Sequence, residues 1–80
     1  MDVTCQFSVY PLGTADPAPV IDRALAAMAA HGLSPELGPM SSLVRGPLDE
    51  VLAGLGDAYR AAASGGAVLV ATFSNVSPPT

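Results

Sequence analysis

Apolar and polar residues alternate from the start of the chain, with Val3, Cys5, Phe7 and Val9 on one side and Thr4, Gln6, Ser8 and Tyr10 on the other. A period of two is the signature of a strand with one buried face, and it predicts a first strand over residues 2–10 that Pro11 and Gly13 end. The period then lengthens. Ile21, Leu25 and Met28, with Ala24 between them, form one stripe of a helix over residues 20–31. Asp16 is a candidate cap, a proline stands in the first turn, and Gly32 follows as a C-terminal stop.

Residues 33–37 read as a short strand, and Pro35, which cannot donate to a ladder, assigns it to an edge. Gly38 and Pro39 make the turn into a third strand over residues 40–45. Gly46 and Pro47 stop that strand and open a second helix, with Asp49 and Glu50 in its first turn where the helix dipole favours them. Its expected core stripe is Val51 or Leu52, Leu55, Tyr59 and Ala62. Gly54 and Gly56 each weaken the helix by about 1 kcal/mol relative to Ala, and can permit close approach to a neighbour. Ser64, Gly65 and Gly66 separate it from a last strand over residues 67–75, and residues 76–80 read as a flexible tail.

The order β-α-β-β-α-β, built from right-handed crossovers, gives an α+β ferredoxin-like domain over residues 1–80: a four-stranded antiparallel sheet with two helices on one face. The last strand is apolar on both sides, Leu69, Ala71 and Phe73 alternating with Val68, Val70 and Thr72. Two helices cover one face only, so a second copy of the chain is the expected cover for the other.

Composition points the same way. Half of the 80 residues are hydrophobic and 12% are charged, and the mean hydropathy is +0.45. That is more apolar surface than a domain of this size hides in its own core, where roughly 60% of the unfolded surface is buried. No apolar run approaches the roughly 20 residues of a membrane span, and no secretory leader is visible, which makes the cytoplasm the expected location. With three Arg, no Lys and a net charge of −4, the chain has no basic stripe for nucleic acid or an anionic membrane. A single cysteine and a single histidine make a metal site an unexpected feature.

Two motifs carry a resemblance. Phe7-Ser8-Val9-Tyr10-Pro11-Leu12-Gly13 is followed, after the first helix, by Gly38-Pro39-Met40-Ser41-Ser42-Leu43-Val44-Arg45-Gly46. Together they resemble the small thiamine-binding, YkoF-like family, with its F-S-x-Y-P-L-G strand end and G-P-M-x-T/S-x-x-E-G hairpin. The resemblance implies a ferredoxin-like fold, assembly into dimers or tetramers, and binding of thiamine or its hydroxymethylpyrimidine part without turnover. Arg45 replaces the Glu of the second motif, and Phe73-Ser74-Asn75 stands where members often carry Lys and Asp; both departures bear on ligand selectivity.

Thiamine presents an aminopyrimidine, a thiazolium cation and an alcohol, so a binder needs hydroxyls or amides near an aromatic or polarizable surface. Ser8 and Tyr10 share a strand side. Met40 and Ser42 enter the third strand beside them, so a flat ring can touch Ser8, Tyr10 and Ser42 with Tyr10 or Met40 against its face; Met40 reads more readily as a core or interface filler than as a ligand contact. Arg45 reads as a partner of Glu36, His31 as a helix-end imidazole, and Cys5 as an inert core thiol. No catalytic constellation and no phosphate-binding glycine loop is visible, so no catalytic residue and no cofactor is expected beyond the bound ligand. The alternatives are a small dimeric enzyme of monooxygenase type and a purely structural oligomer subunit.

Overall fold

The computed structural model describes residues 1–38 and 41–76. The elements are β1 (Asp2–Pro11), α1 (Ala18–Ala29), β2 (Glu36–Leu37), β3 (Ser42–Pro47), α2 (Leu48–Ala62), a 3-10 turn (Ala63–Gly65) and β4 (Ala67–Ser74). The strands form one antiparallel sheet in the order β2-β3-β1-β4. This is the ferredoxin-like α+β arrangement that the element order predicts. Met40 and all but the first residue of the expected 76–80 tail lie outside the described residues.

Cross-strand register fixes which side chains share a face. Val3, Cys5 and Phe7 stand opposite Gly46, Val44 and Ser42 on β3, while Cys5, Phe7 and Val9 stand opposite Phe73, Ala71 and Leu69 on β4. The buried members of this set meet Ala24 and Met28 of α1 and Val51, Leu55, Ala58 and Ala62 of α2 to form the core. The opposite face carries Gln6, Ser8 and Tyr10 of β1 together with Val68, Val70 and Thr72 of β4.

The boundaries of β2 and β3 differ from the expected ones, each for a local reason. β2 shrinks to two residues because Pro35 has no N–H for the ladder, and Leu33 is drawn into the core instead. β3 runs on through Gly46 and Pro47, which pair with Val3 and Asp2. Pro47 is tolerated as the last strand residue because its extended backbone also serves as the N-terminal boundary of α2. The carbonyl of Met1 accepts from the Leu48 N–H at 2.9 Å, so β1 helps to close the start of that helix. On α1, the Asp16 carboxylate accepts from the Ala18 N–H at 3.2 Å.

The core stripe of α2 includes Ala58 rather than Tyr59. Tyr59 is largely exposed and donates its hydroxyl to the Ala67 carbonyl at 3.0 Å, tying the helix to the start of β4. His31 is also more than a helix-end charge. Its Nε2 lies 2.7 Å from Asp57 Oδ2, and Arg60 holds the other oxygen of that carboxylate at 2.6 Å. The His31 hydrogen bond, the largest influence, holds the Asp57 carboxyl below its ordinary range against desolvation, with a further, smaller contribution from the Arg60 hydrogen bond. Among the described residues these are the ion pairs; the expected Arg45–Glu36 bridge is not among them.

Gly54 sits where the helices approach most closely. A methyl group there would lie 2.7 Å from Leu33 Cδ1 and 3.7 Å from Met28 Cα, whereas one on Gly56 would meet only the Arg60 side chain at 3.6 Å. The two glycines therefore respond in opposite directions. Gly54→Val is expected to destabilise by about 1–3 kcal/mol through overpacking, and Gly56→Ala to stabilise by up to about 1 kcal/mol through helix propensity. Thermal melts of the two variants check this, with opposite shifts in Tm of at least a few degrees.

Candidate functional site

The length of β1 creates the site. Its ladder with β4 continues to the Pro11–Ala67 pair, but its described ladder with β3 ends at Phe7–Ser42. Residues 8–11 thus run beyond the start of β3, and the sheet opens there into a wedge. The β2–β3 turn closes one side of this wedge, where the Gly38 N–H donates to the Ser41 carbonyl at 2.9 Å. A Cβ at Gly38 would lie 2.6 Å from that same oxygen, so the turn has no room for a side chain.

The resulting cleft has a volume of about 160 Å³. Phe7, Ser8, Val9 and Tyr10 supply its β1 wall, Ile21, Ala24 and Leu25 the wall from α1, and Leu37, Gly38, Ser41 and Ser42 the turn side. Aliphatic and aromatic surface is thereby combined with three hydroxyl side chains and the phenol of Tyr10. No carboxylate, imidazole or thiol lines it among the described residues.

The residues singled out in the sequence meet here from different sides. Ser8 and Tyr10 project to the open face, paired with Val70 and Val68. Ser42 is the cross-strand partner of Phe7 and so shares the helix-facing side. Ser41, just before the strand, accepts at its Oγ from the side-chain amide of Gln6, a residue on the open face with Ser8, at 2.8 Å. Ser8, Tyr10 and Ser42 therefore reach one cleft, but Ser41 is the turn hydroxyl on the Ser8 side. Met40 lies outside the described residues.

Ser41 and the apolar walls from Ile21, Leu25 and Leu37 were not singled out from sequence. The adjacent pair Ser41-Ser42 stood in the motif, but only the register decides which serine faces which way. Arg45 stands apart. With Glu36, Ser34 and Leu43 it lines a separate shallow concavity at the β2 edge of the sheet.

Other open surfaces carry less chemistry. A groove between α2 and β4 is lined by Leu55, Tyr59, Val68 and Leu69. The thiol of Cys5 is buried, and desolvation raises its pKa against a smaller opposing effect of the Thr72 backbone, so it is a weak nucleophile. Among the described residues, no group of three or more His, Cys, Asp or Glu side chains is placed to hold a metal ion, and no helix is long and apolar enough to cross a membrane.

Comparison with known proteins bears on this geometry. Among solved structures, a protein of the unknown-function class DUF77 from Bacillus cereus is 26% identical, with a TM-score of 0.79 over 95% of this chain and 77% of that one. A hypothetical protein from Methanocaldococcus jannascii is 21% identical, with a TM-score of 0.85 over 99% and 84%. A Thermotoga maritima protein assigned provisionally to thiamine biosynthesis or salvage is 24% identical, with a TM-score of 0.77 over 95% and 85%. The last two likenesses speak to the fold alone. No curated protein matches the chain. The sequence matches the family described as thiamine-binding protein over residues 5–77, which takes in β1 from Cys5 onward and the segment joining β2 to β3. The chain belongs to the thiamine-binding protein family.

Proposed function

We propose that this protein binds thiamine, or its hydroxymethylpyrimidine part, without turnover, and does so as a homo-oligomer. The observation that carries the reading is the meeting of the two family motifs. Phe7, Ser8 and Tyr10 of the first, and Gly38, Ser41 and Ser42 of the second, are about thirty residues apart in sequence yet line one cleft.

Size and chemistry favour the pyrimidine end. At about 160 Å³ the cleft is smaller than the roughly 300–1,000 Å³ typical of sites that enclose drug-sized ligands. It suits a single ring with the remainder of the ligand toward the mouth. Ser8, Ser41 and Ser42 offer hydroxyls that both donate and accept, matching the exocyclic amine and ring nitrogens of an aminopyrimidine. Tyr10 and Phe7 provide ring surface. The lining favours binding over catalysis, since among the described residues it offers hydroxyls and apolar surface rather than a carboxylate or imidazole for proton transfer.

Each neutral hydrogen bond contributes about 0.5–1.5 kcal/mol. Removing two hydroxyls by Ser8→Ala with Ser42→Ala is therefore expected to weaken binding by tenfold or more while the melting curve changes little. Calorimetric titration with thiamine and with hydroxymethylpyrimidine is the check. Unchanged affinity in the folded double variant would place the ligand elsewhere, and no heat from the parent protein would remove the ligand reading.

Self-association rests on the open face of the sheet. Tyr10, Val68 and Val70 are about half exposed and lie together across β1 and β4. Contiguous apolar surface of this kind marks an interface. The same face carries Arg45 together with Glu36 and Asp2, opposite charges that a two-fold copy can satisfy with itself. Light scattering at micromolar concentration is expected to show a dimer or larger species. Val70→Asp is expected to shift it toward monomer, because two symmetry-related carboxylates would meet in a desolvated patch. A monomeric parent protein would contradict the assembly.

A further inference from the structure

The cleft is uncharged, and the positive charges of this chain lie elsewhere. Only three arginines and no lysine occur in the sequence. Arg60 is held by Asp57 at 2.6 Å on α2, an element that contributes nothing to the cleft lining. Arg45 lines the separate concavity with Glu36. It stands four residues along β3 from Ser41, about 13 Å at the usual rise of a strand. Arg23 lies between Ile21 and Leu25 in sequence, but helical spacing puts it on the far side of α1 from those two cleft residues, and it is exposed. The single histidine, His31, is engaged with Asp57.

Of the acidic groups, the exposed Asp22 follows the cleft residue Ile21 on α1, whereas Glu36 shares the separate concavity with Arg45; the whole chain carries a net charge of −4. A phosphate drawn into the cleft would lose water and gain only hydroxyl donors, without a cation to compensate its charge. One left at the mouth would face the negative field of the protein. A cationic thiazolium at the same mouth is attracted by that field.

We infer that this cleft selects the unphosphorylated ligand and discriminates against phosphate esters of the same molecule, so that the protein responds to free thiamine or free hydroxymethylpyrimidine in the presence of the esters. The inference rests on the thiamine-class reading of the same cleft. It places the protein before the phosphorylating reactions that consume such a ligand, or after the hydrolytic ones that release it.

The test is side-by-side titration of the full chain with thiamine, thiamine monophosphate and thiamine diphosphate at low salt and again at high salt. The monophosphate is expected to bind at least tenfold more weakly than thiamine and the diphosphate more weakly still. The gap should narrow as salt screens the charges, the Debye length being about 10 Å at 0.1 M and shorter above it. Leu37→Lys, an exposed change at the rim of the cleft, should narrow the gap at low salt by strengthening ester binding. Esters that bind as tightly as thiamine, or more tightly, would overturn the selectivity and leave the ligand class standing. A gap insensitive to both salt and Leu37→Lys would overturn its electrostatic origin. If neither thiamine nor its esters bind, the ligand class and the selectivity fall together.

Discussion

The structure turns on an inequality between the two ladders of one strand. β1 is held by β4 along nearly its whole length, but its described pairing with β3 stops at Phe7–Ser42. β4 keeps residues 8–11 extended beyond the described β1–β3 pairs, and the cleft lies beside them. Leu37, Gly38, Ser41 and Ser42 line one side of it, and α1 closes it from the helix side. A longer β3 would seal the sheet and abolish the site, and a shorter β4 would leave the end of β1 unsupported. The β1 wall of the cleft is thus part of the most extensively paired strand in the sheet, the rigid placement that the proposed site calls for.

The strand period of two then divides the labour among side chains. On β1, residues facing the helices alternate with residues on the open face, so Phe7 closes the hydrophobic layer while Ser8 and Tyr10 stand on the open face at the same strand end. On the turn side the division is made within one dipeptide: Ser42 joins Phe7's side and Ser41 joins that of Ser8. Two adjacent hydroxyls consequently reach the cleft from opposite faces of the sheet. The same alternation leaves Val68 and Val70 exposed beside Ser8 and Tyr10, so that any copy of the chain docked on the open face lies near the cleft.

How far all this can be read from sequence depends on whether a feature is local. The alternation of β1, the element order and the doubly apolar β4 are local patterns, and they lead directly to the fold. Leu33 and Pro35 show the limit: a stretch that reads as a strand is divided because the missing N–H of Pro35 prevents pairing and the core beneath Gly54 accepts Leu33. Ala58 and Tyr59 show another. Both fit a helical stripe within one residue, and the close packing of the layers selects the small side chain. At the site, Ser8 and Tyr10 are legible from their parity on one strand. Ser41 and Ser42 are not, because a shift of one residue in register exchanges their faces and register is a property of two strands.

The central claim is that the ligand ring sits in the wedge that β1 leaves open by outrunning β3. A crystal structure of the protein with hydroxymethylpyrimidine tests it most directly. The expected result is a ring in contact with Phe7, Ser8 and Tyr10 on one side and with Ser41 and Ser42 on the other. A ring seated instead over Val68 and Val70 on the open face, or in the α2–β4 groove beside Tyr59, would contradict it.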